Sequence, residues 1–214
     1  NTGGMGSYNF PDNLPFLTSS DLDAAHKINV KTVQALKNEL GEYYKGIIYG
    51  GFIATKNGVK LIEYNARFGD PEAMNALCLL ETDFVDICHA IIRGTLNKLD
   101  IKFAKKATVC KYAVPNGYPE SPVKCERITI KPLPKGVKMY YASVNKTENE
   151  LVLLGSRAIA FVGIADTIEE AEKVAQKGIE CVNGSIFYRK DIGTSALIQK
   201  RIEMMNELRE KAIN

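Results

Sequence analysis

The sequence has no apolar run that approaches a membrane span of roughly 18 residues. It also has no long block of like charge, and its net charge is only +3. The first absence argues against a helical membrane anchor. The second argues against nucleic acid as a partner, because the basic residues are scattered rather than gathered into a stripe. No secretory leader is visible. The five cysteines (Cys78, Cys88, Cys110, Cys125 and Cys181) show neither a short-spaced metal knuckle nor a redox pair. Such a set is expected of reduced thiols in a cytoplasmic protein. Histidine occurs only at positions 26 and 89, both inside helical patterns, so a histidine-based metal or base chemistry is not expected. The chain begins at Asn1 in a glycine-rich stretch, which suggests a piece of something longer.

What is present reads as two mixed α and β lobes, with a change of character near Asp100. Asn1–Ser7 reads as a glycine-rich loop. Ser19 or Ser20 is placed to cap a helix that Gly41 would end. Lys45–Asn65 reads as a hairpin turning at Asn57-Gly58. A helix is expected to open at Pro71, just after Asp70, and to continue from Met74 to Leu80, and another, capped by Thr82, is expected to run toward Gly94. Beyond Asp100, short strands are expected at 107–114, 128–131, 139–144, 151–154 and 159–164. A capping box at Thr167–Glu170 opens a helix running to about Cys181. A last strand at 186–189 precedes an amphipathic helix at 195–212. Both of these later helices are expected to pack on the second lobe's sheet.

The chemistry centres on Glu63 and Asn65. Two apart on a strand, they share a face, roughly 6.5–7 Å from one another along the backbone. A carboxylate and an amide oxygen so placed suit a hard cation that completes its shell with water and phosphate. Arg67 would reach the same side if the extended path continued, and its fork suits charge developing on a transferring phosphoryl group. An amphipathic edge strand with a surface glutamate remains the alternative for this pattern alone. Gly3, Gly4 and Gly6 could form a nest of backbone donors for an anion, or simply a flexible turn. Arg157 and Arg189, taken alone, read as surface arginines beside strands.

The ten-residue string Glu63-Tyr64-Asn65-Ala66-Arg67-Phe68-Gly69-Asp70-Pro71-Glu72 resembles the signature of the phosphoribosylamine–glycine ligases, ATP-grasp enzymes of purine biosynthesis. Thr2–Ser7 and Tyr188–Gly193 resemble two further blocks of that family, in the same order and at similar spacing. The resemblance implies an α+β fold: the C-terminal part of an ATP-grasp domain over residues 1–99, followed by a small α/β C-terminal domain over 100–214. It implies ATP-dependent joining of glycine to 5-phosphoribosylamine through a glycyl phosphate, with Mg2+ or Mn2+. Glu63 and Asn65 become the metal ligands and Arg67 the catalytic arginine. By the same resemblance, Ile53 is expected to line the adenine pocket, and Gly3, Gly4, Gly6, Asp70, Arg157 and Arg189 are expected to face substrates, the two arginines at the ribose phosphate.

The chain departs from the broader ATP-grasp pattern at Gly51, where many members carry a further oxygen ligand twelve positions before the glutamate. The family's N-terminal domain and its lid over ATP would lie upstream, so that missing half is the expected partner. The chain alone is then expected to be folded but inactive. Two other readings remain: a non-catalytic binding domain derived from an ATP-grasp enzyme, and another ATP-grasp ligase such as a carboxylase.

Overall fold

The computed structural model describes residues 4–147 and 150–213. They form two compact units. One comprises Asn1–Pro11, Asp70–Leu79 and Lys105–Leu197; the other comprises Asp12–Gly69, Leu80–Ala104 and Ile198–Asn214.

The first unit is built on two antiparallel sheets. Its larger sheet follows the order β1 (Gly6–Asn9), β4 (Ala107–Pro115), β9 (Ile159–Ala165), β6 (Lys138–Tyr141), with β11 (Ile186–Phe187) also pairing β4. The second sheet runs β10 (Val182–Asn183), β5 (Arg127–Ile130), β8 (Leu151–Leu153), β7 (Val144–Lys146). Every residue of β4 is buried, as expected of a central strand covered on both faces. Ile128, Leu153, Ile159, Phe161 and Ile179 form the heart of the core. Helix α4 (Ile168–Ile179) lies on β4 and β9. Its start is the capping box read from the sequence, with Thr167 and Glu170 each bonding the other's backbone N–H. Close approach is permitted by Gly163, where a Cβ would fall 2.0 Å from the Ala171 carbonyl. The short helix α2 (Glu72–Leu77) also belongs here. Its buried Asn75 donates to Thr108 Oγ1 at 2.9 Å and is bonded to the Ser7 hydroxyl.

The second unit holds the expected hairpin, β2 (Tyr49–Thr55) and β3 (Gly58–Asn65), with an irregularity between Gly51 and Phe52. Its turn is Lys56–Asn57, one residue earlier than expected, and Gly58 opens β3 at φ +88°. Helix α1 (Ser19–Leu40) packs on it. Its cap is Thr18 rather than Ser19 or Ser20, because Thr18 forms a capping box with Asp21; Gly41 closes the helix as expected. Helix α3 (Phe84–Arg93) is capped one residue later than expected, by Asp83. The Thr82 hydroxyl instead accepts from the Lys102 backbone N–H.

Two larger expectations also change. The stretch at 139–144 is not one strand: it divides into β6 and β7, which enter different sheets. The terminal helix α5 (Ser195–Ile213) largely groups with α1 rather than with α4. Arg209 fastens it there by donating to Asp21 at 2.8 Å and to the Phe16 carbonyl at 3.2 Å.

Candidate functional site

Strand alternation on β3 separates two tasks. Tyr64 faces α1, where its hydroxyl lies 2.9 Å from Asn29 Oδ1 and 3.1 Å from Thr32 Oγ1. Its ring also meets Phe52 edge-on. Glu63 and Asn65 therefore project from the opposite face. The Asn65 amide donates to Glu63 Oε1 at 3.1 Å, so the two side chains meet as the spacing requires. Gly51 is the direct cross-strand partner of Glu63. A Cβ there would lie 3.6 Å from Glu63 Cγ, an ordinary contact that needs no rearrangement. Among the described residues, no group of three or more His, Cys, Asp or Glu is arranged to hold a metal ion. The donor set is one carboxylate and one amide oxygen. It fits a hard cation that takes its other ligands from water and nucleotide phosphate.

Arg67 departs from the expected alternation. The strand ends at Asn65, residues 66 and 67 form a bend, and Arg67 Nη1 donates to the Phe68 carbonyl at 2.6 Å. Ile53 lies on β2 opposite Lys60 and is 51% exposed.

In the first unit, β4 gathers residues from all three sequence blocks. Gly3 lies outside the described residues. Gly4 has φ +77°, and its carbonyl accepts from Arg157 Nη1 at 3.2 Å. Gly6 is not in a loop, contrary to expectation: it opens β1, paired to Lys111. A Cβ on Gly6 would strike the Cys110 carbonyl at 2.4 Å and Ile192 at 2.8 Å. Asp70 is held from three directions. Arg157 donates to its carboxylate through Nη2 and to its carbonyl through Nη1, each at 2.8 Å. The Tyr112 hydroxyl donates to Oδ1 at 3.0 Å, and the guanidinium sits 5.1 Å from the centre of the Tyr112 ring. Burial, joined by the Asp70 charge and the bond to it, pushes the Tyr112 phenol up, so the ring keeps its proton and stays a donor. Arg189 grips Asp191 through Nε at 3.0 Å and Nη2 at 2.6 Å.

Tyr112 and Asp191 were not singled out in the sequence. Tyr112 sits in a run of strand formers, where a core residue is the default reading. Asp191 lies two residues after Arg189, in a segment with no helical or strand period to mark it.

The bond from Arg189 holds the Asp191 carboxyl below the usual carboxylate range, against the opposing effect of burial. A depressed folded value means the pair stabilises the protein above the unfolded carboxyl value, near pH 4, and loses that contribution as pH falls through the folded value. The difference in denaturation midpoint between wild type and Asp191→Asn should therefore shrink as pH drops from 6 to 3. Both groups are substantially exposed, so the difference at pH 6 should be below about 1 kcal/mol. A pH-independent difference would show that the ion pair is not its source.

The ATP-grasp (A) domain of phosphoribosylglycinamide synthetase matches residues 1–73, and the C domain of the same enzyme matches residues 108–195. The chain belongs to the phosphoribosylglycinamide synthetase family. Curated synthetase relatives named phosphoribosylamine–glycine ligase include one from Methanosarcina barkeri, 56% identical over 98% of this chain and 48% of its own length. Another, from Methanocaldococcus jannaschii, is 54% identical over 97% of this chain and 48% of its own. The chain thus spans about half the length of the curated relatives it matches. The crystal structure of the phosphoribosylamine–glycine ligase from Thermotoga maritima aligns with a TM-score of 0.75 at 30% identity, over 90% of this chain and 47% of that one. The biotin carboxylase domain of a thermophilic 2-oxoglutarate carboxylase aligns at 0.59 and 18% identity, over 97% of this chain and 45% of that one, which shows a shared fold alone.

Proposed function

We propose that this synthetase-family chain is the C-terminal portion of a cytoplasmic phosphoribosylamine–glycine ligase, which uses ATP to join glycine to 5-phosphoribosylamine and releases ADP and phosphate. The observation that carries the reading is the shared face of Glu63 and Asn65 inside the family's ten-residue string. The division near Asp100 is proposed on the two family matches, which lie on either side of it.

Glu63 and Asn65 would hold Mg2+ or Mn2+, and the metal would supply charge neutralisation on the nucleotide phosphates. Arg67 is proposed to serve the transferring phosphoryl group and Ile53 the adenine. Gly3, Gly4, Gly6 and Asp70 are proposed to face substrates, with Arg157 and Arg189 serving the ribose phosphate. Asp70 carries the support that a positioned ligand group needs, fixed at its carboxylate by both Arg157 and Tyr112. The partner is proposed to be the upstream half of the same enzyme, and the 214 residues alone are proposed to be inactive.

The deciding experiment measures ADP formation by the full-length enzyme. ADP should form only when glycine and 5-phosphoribosylamine are both present. The 214-residue chain alone should form none, and adding the upstream half should restore activity. Turnover that needs bicarbonate instead would favour a carboxylase, and full-length enzyme that binds ATP without turnover would favour a binding domain. In the full-length enzyme, Arg157→Ala or Arg189→Ala should raise the KM for phosphoribosylamine selectively. The loss of a charge-assisted contact makes the expected rise roughly tenfold or more. An equal rise in the KM values for ATP and glycine would point to a general defect instead.

A further inference from the structure

We infer that Lys111 is a positioning residue: its buried ammonium fixes the Lys190–Asp191 peptide, and through Asp191 it fixes the guanidinium of Arg189. The functional part of this inference rests on the proposed role of Arg189 with the ribose phosphate.

Lys111 lies in the middle of β4, a strand buried along its whole length, and its side chain is 0% exposed. An ammonium is costly to remove from water unless its protons are all bonded. Here there are three acceptors for three N–H bonds: Glu172 Oε1 at 2.5 Å, Gln176 Oε1 at 2.8 Å and the Lys190 carbonyl at 2.9 Å. The first two lie one turn apart on α4. They would be unnecessary if the purpose were only to attach that helix, since beside them α4 already packs against β9 through Gly163.

The third acceptor belongs to an irregular segment. Residues 190–193 form turns rather than a helix or strand. Gln176 bonds the Tyr188 hydroxyl at 3.0 Å, so the same network holds the segment at two points. The segment's far end is tightly fitted, because Gly193 has φ +79° and a Cβ there would fall 2.9 Å from Val109. Directly after the anchored carbonyl comes Asp191, whose carboxylate holds Arg189 by two bonds. The path from the buried charge to the exposed guanidinium is therefore one peptide and one ion pair long.

The test uses the full-length enzyme carrying Lys111→Met together with Glu172→Met. Removing both charges for side chains of similar volume avoids leaving either ion unpaired, and such exchanges commonly preserve folding. Two quantities are read: amide hydrogen exchange across residues 188–194, and steady-state constants for each substrate. Exchange in the segment should accelerate at least tenfold while β4 and α4 keep their protection. The KM for phosphoribosylamine should rise about tenfold, with kcat and the KM for ATP within twofold, a split that loss of fold alone would not give. Unchanged exchange in the segment would overturn the inference. So would an unchanged KM in a background where Arg189→Ala does raise it. If Arg189→Ala leaves the KM unaltered, the phosphate role of Arg189 falls, and exchange alone decides whether Lys111 positions the segment. Should the double variant fail to fold, Lys111→Gln paired with Glu172→Gln, which removes both charges but keeps donors and an acceptor, is judged by the same two readouts.

Discussion

Glu63→Gln in the full-length enzyme should lower kcat by about a hundredfold or more while changing the KM for glycine less than threefold. Gln has the shape of Glu and can still accept from Asn65, so the hairpin should be unaffected. Glu63 is exposed, which removes packing as a confounding cause. What disappears is a full negative charge at the proposed metal position. A metal ligand acts most where charge accumulates, and the loss of one preorganised electrostatic contact in a closed site typically costs 10²–10³ in rate. Interactions that strengthen only in the transition state appear in kcat rather than in substrate binding. Steady-state kinetics across a magnesium series gives the answer. Near-wild-type turnover at saturating magnesium would remove Glu63 from the metal site.

Lys111→Met alone should behave very differently from its pairing with Glu172→Met. The single change leaves the Glu172 carboxylate, whose side chain is only 12% exposed, without its cation. Breaking a buried pair from one side costs about 3–5 kcal/mol, far more than replacing both partners. A denaturant or thermal melt of the 214-residue chain should show this as a fall of roughly 10–20 °C in the transition of the first unit. Glu172→Gln, which keeps an acceptor for Lys111, should cost less. A single-variant loss below about 1 kcal/mol would mean that solvent reaches the site and the pair is not desolvated.

Local signals carried much of the fold. The hairpin was legible because Asn57-Gly58 and the β-formers around it point to one answer, and the Thr167–Glu170 box marks its helix unambiguously. Caps at Thr18 and Asp83 were missed by one or two residues because neighbouring Ser and Thr offer the same chemistry; only the folded backbone decides between them. Contacts across the chain were not legible. Nothing near Asp70 announces Arg157, 87 positions away, and Gly6 looks like a loop residue until β4 is beside it. The site showed the same division. Glu63 and Asn65 meet because strand period dictates it, whereas Arg67 lies past the strand's end, where the period no longer applies. Lys111 does carry a usable signal: it is a lone charge within Ala107–Pro115, a run otherwise fit for a fully buried strand.

The pairing of β1 with β4 also has a consequence in time. Asn9 and Thr108, joined by two bonds from Thr108 to the Asn9 carboxamide, are 99 positions apart. Closing so long a loop is thermodynamically mild, since its entropy cost grows only with the logarithm of length. Kinetically it is slow, because distant pairings are searched for late. On a ribosome adding about 5–20 residues per second, the first strand waits roughly 5–20 s for its partner to be made. During that interval Ser7 and Asn75 have each other but not Thr108, so α2 has no sheet on which to settle. The hairpin of the second unit, joined by a two-residue turn, has no such wait. The strand that carries Glu63 and Asn65 should therefore be in place well before the strand that brings Tyr112 to Asp70.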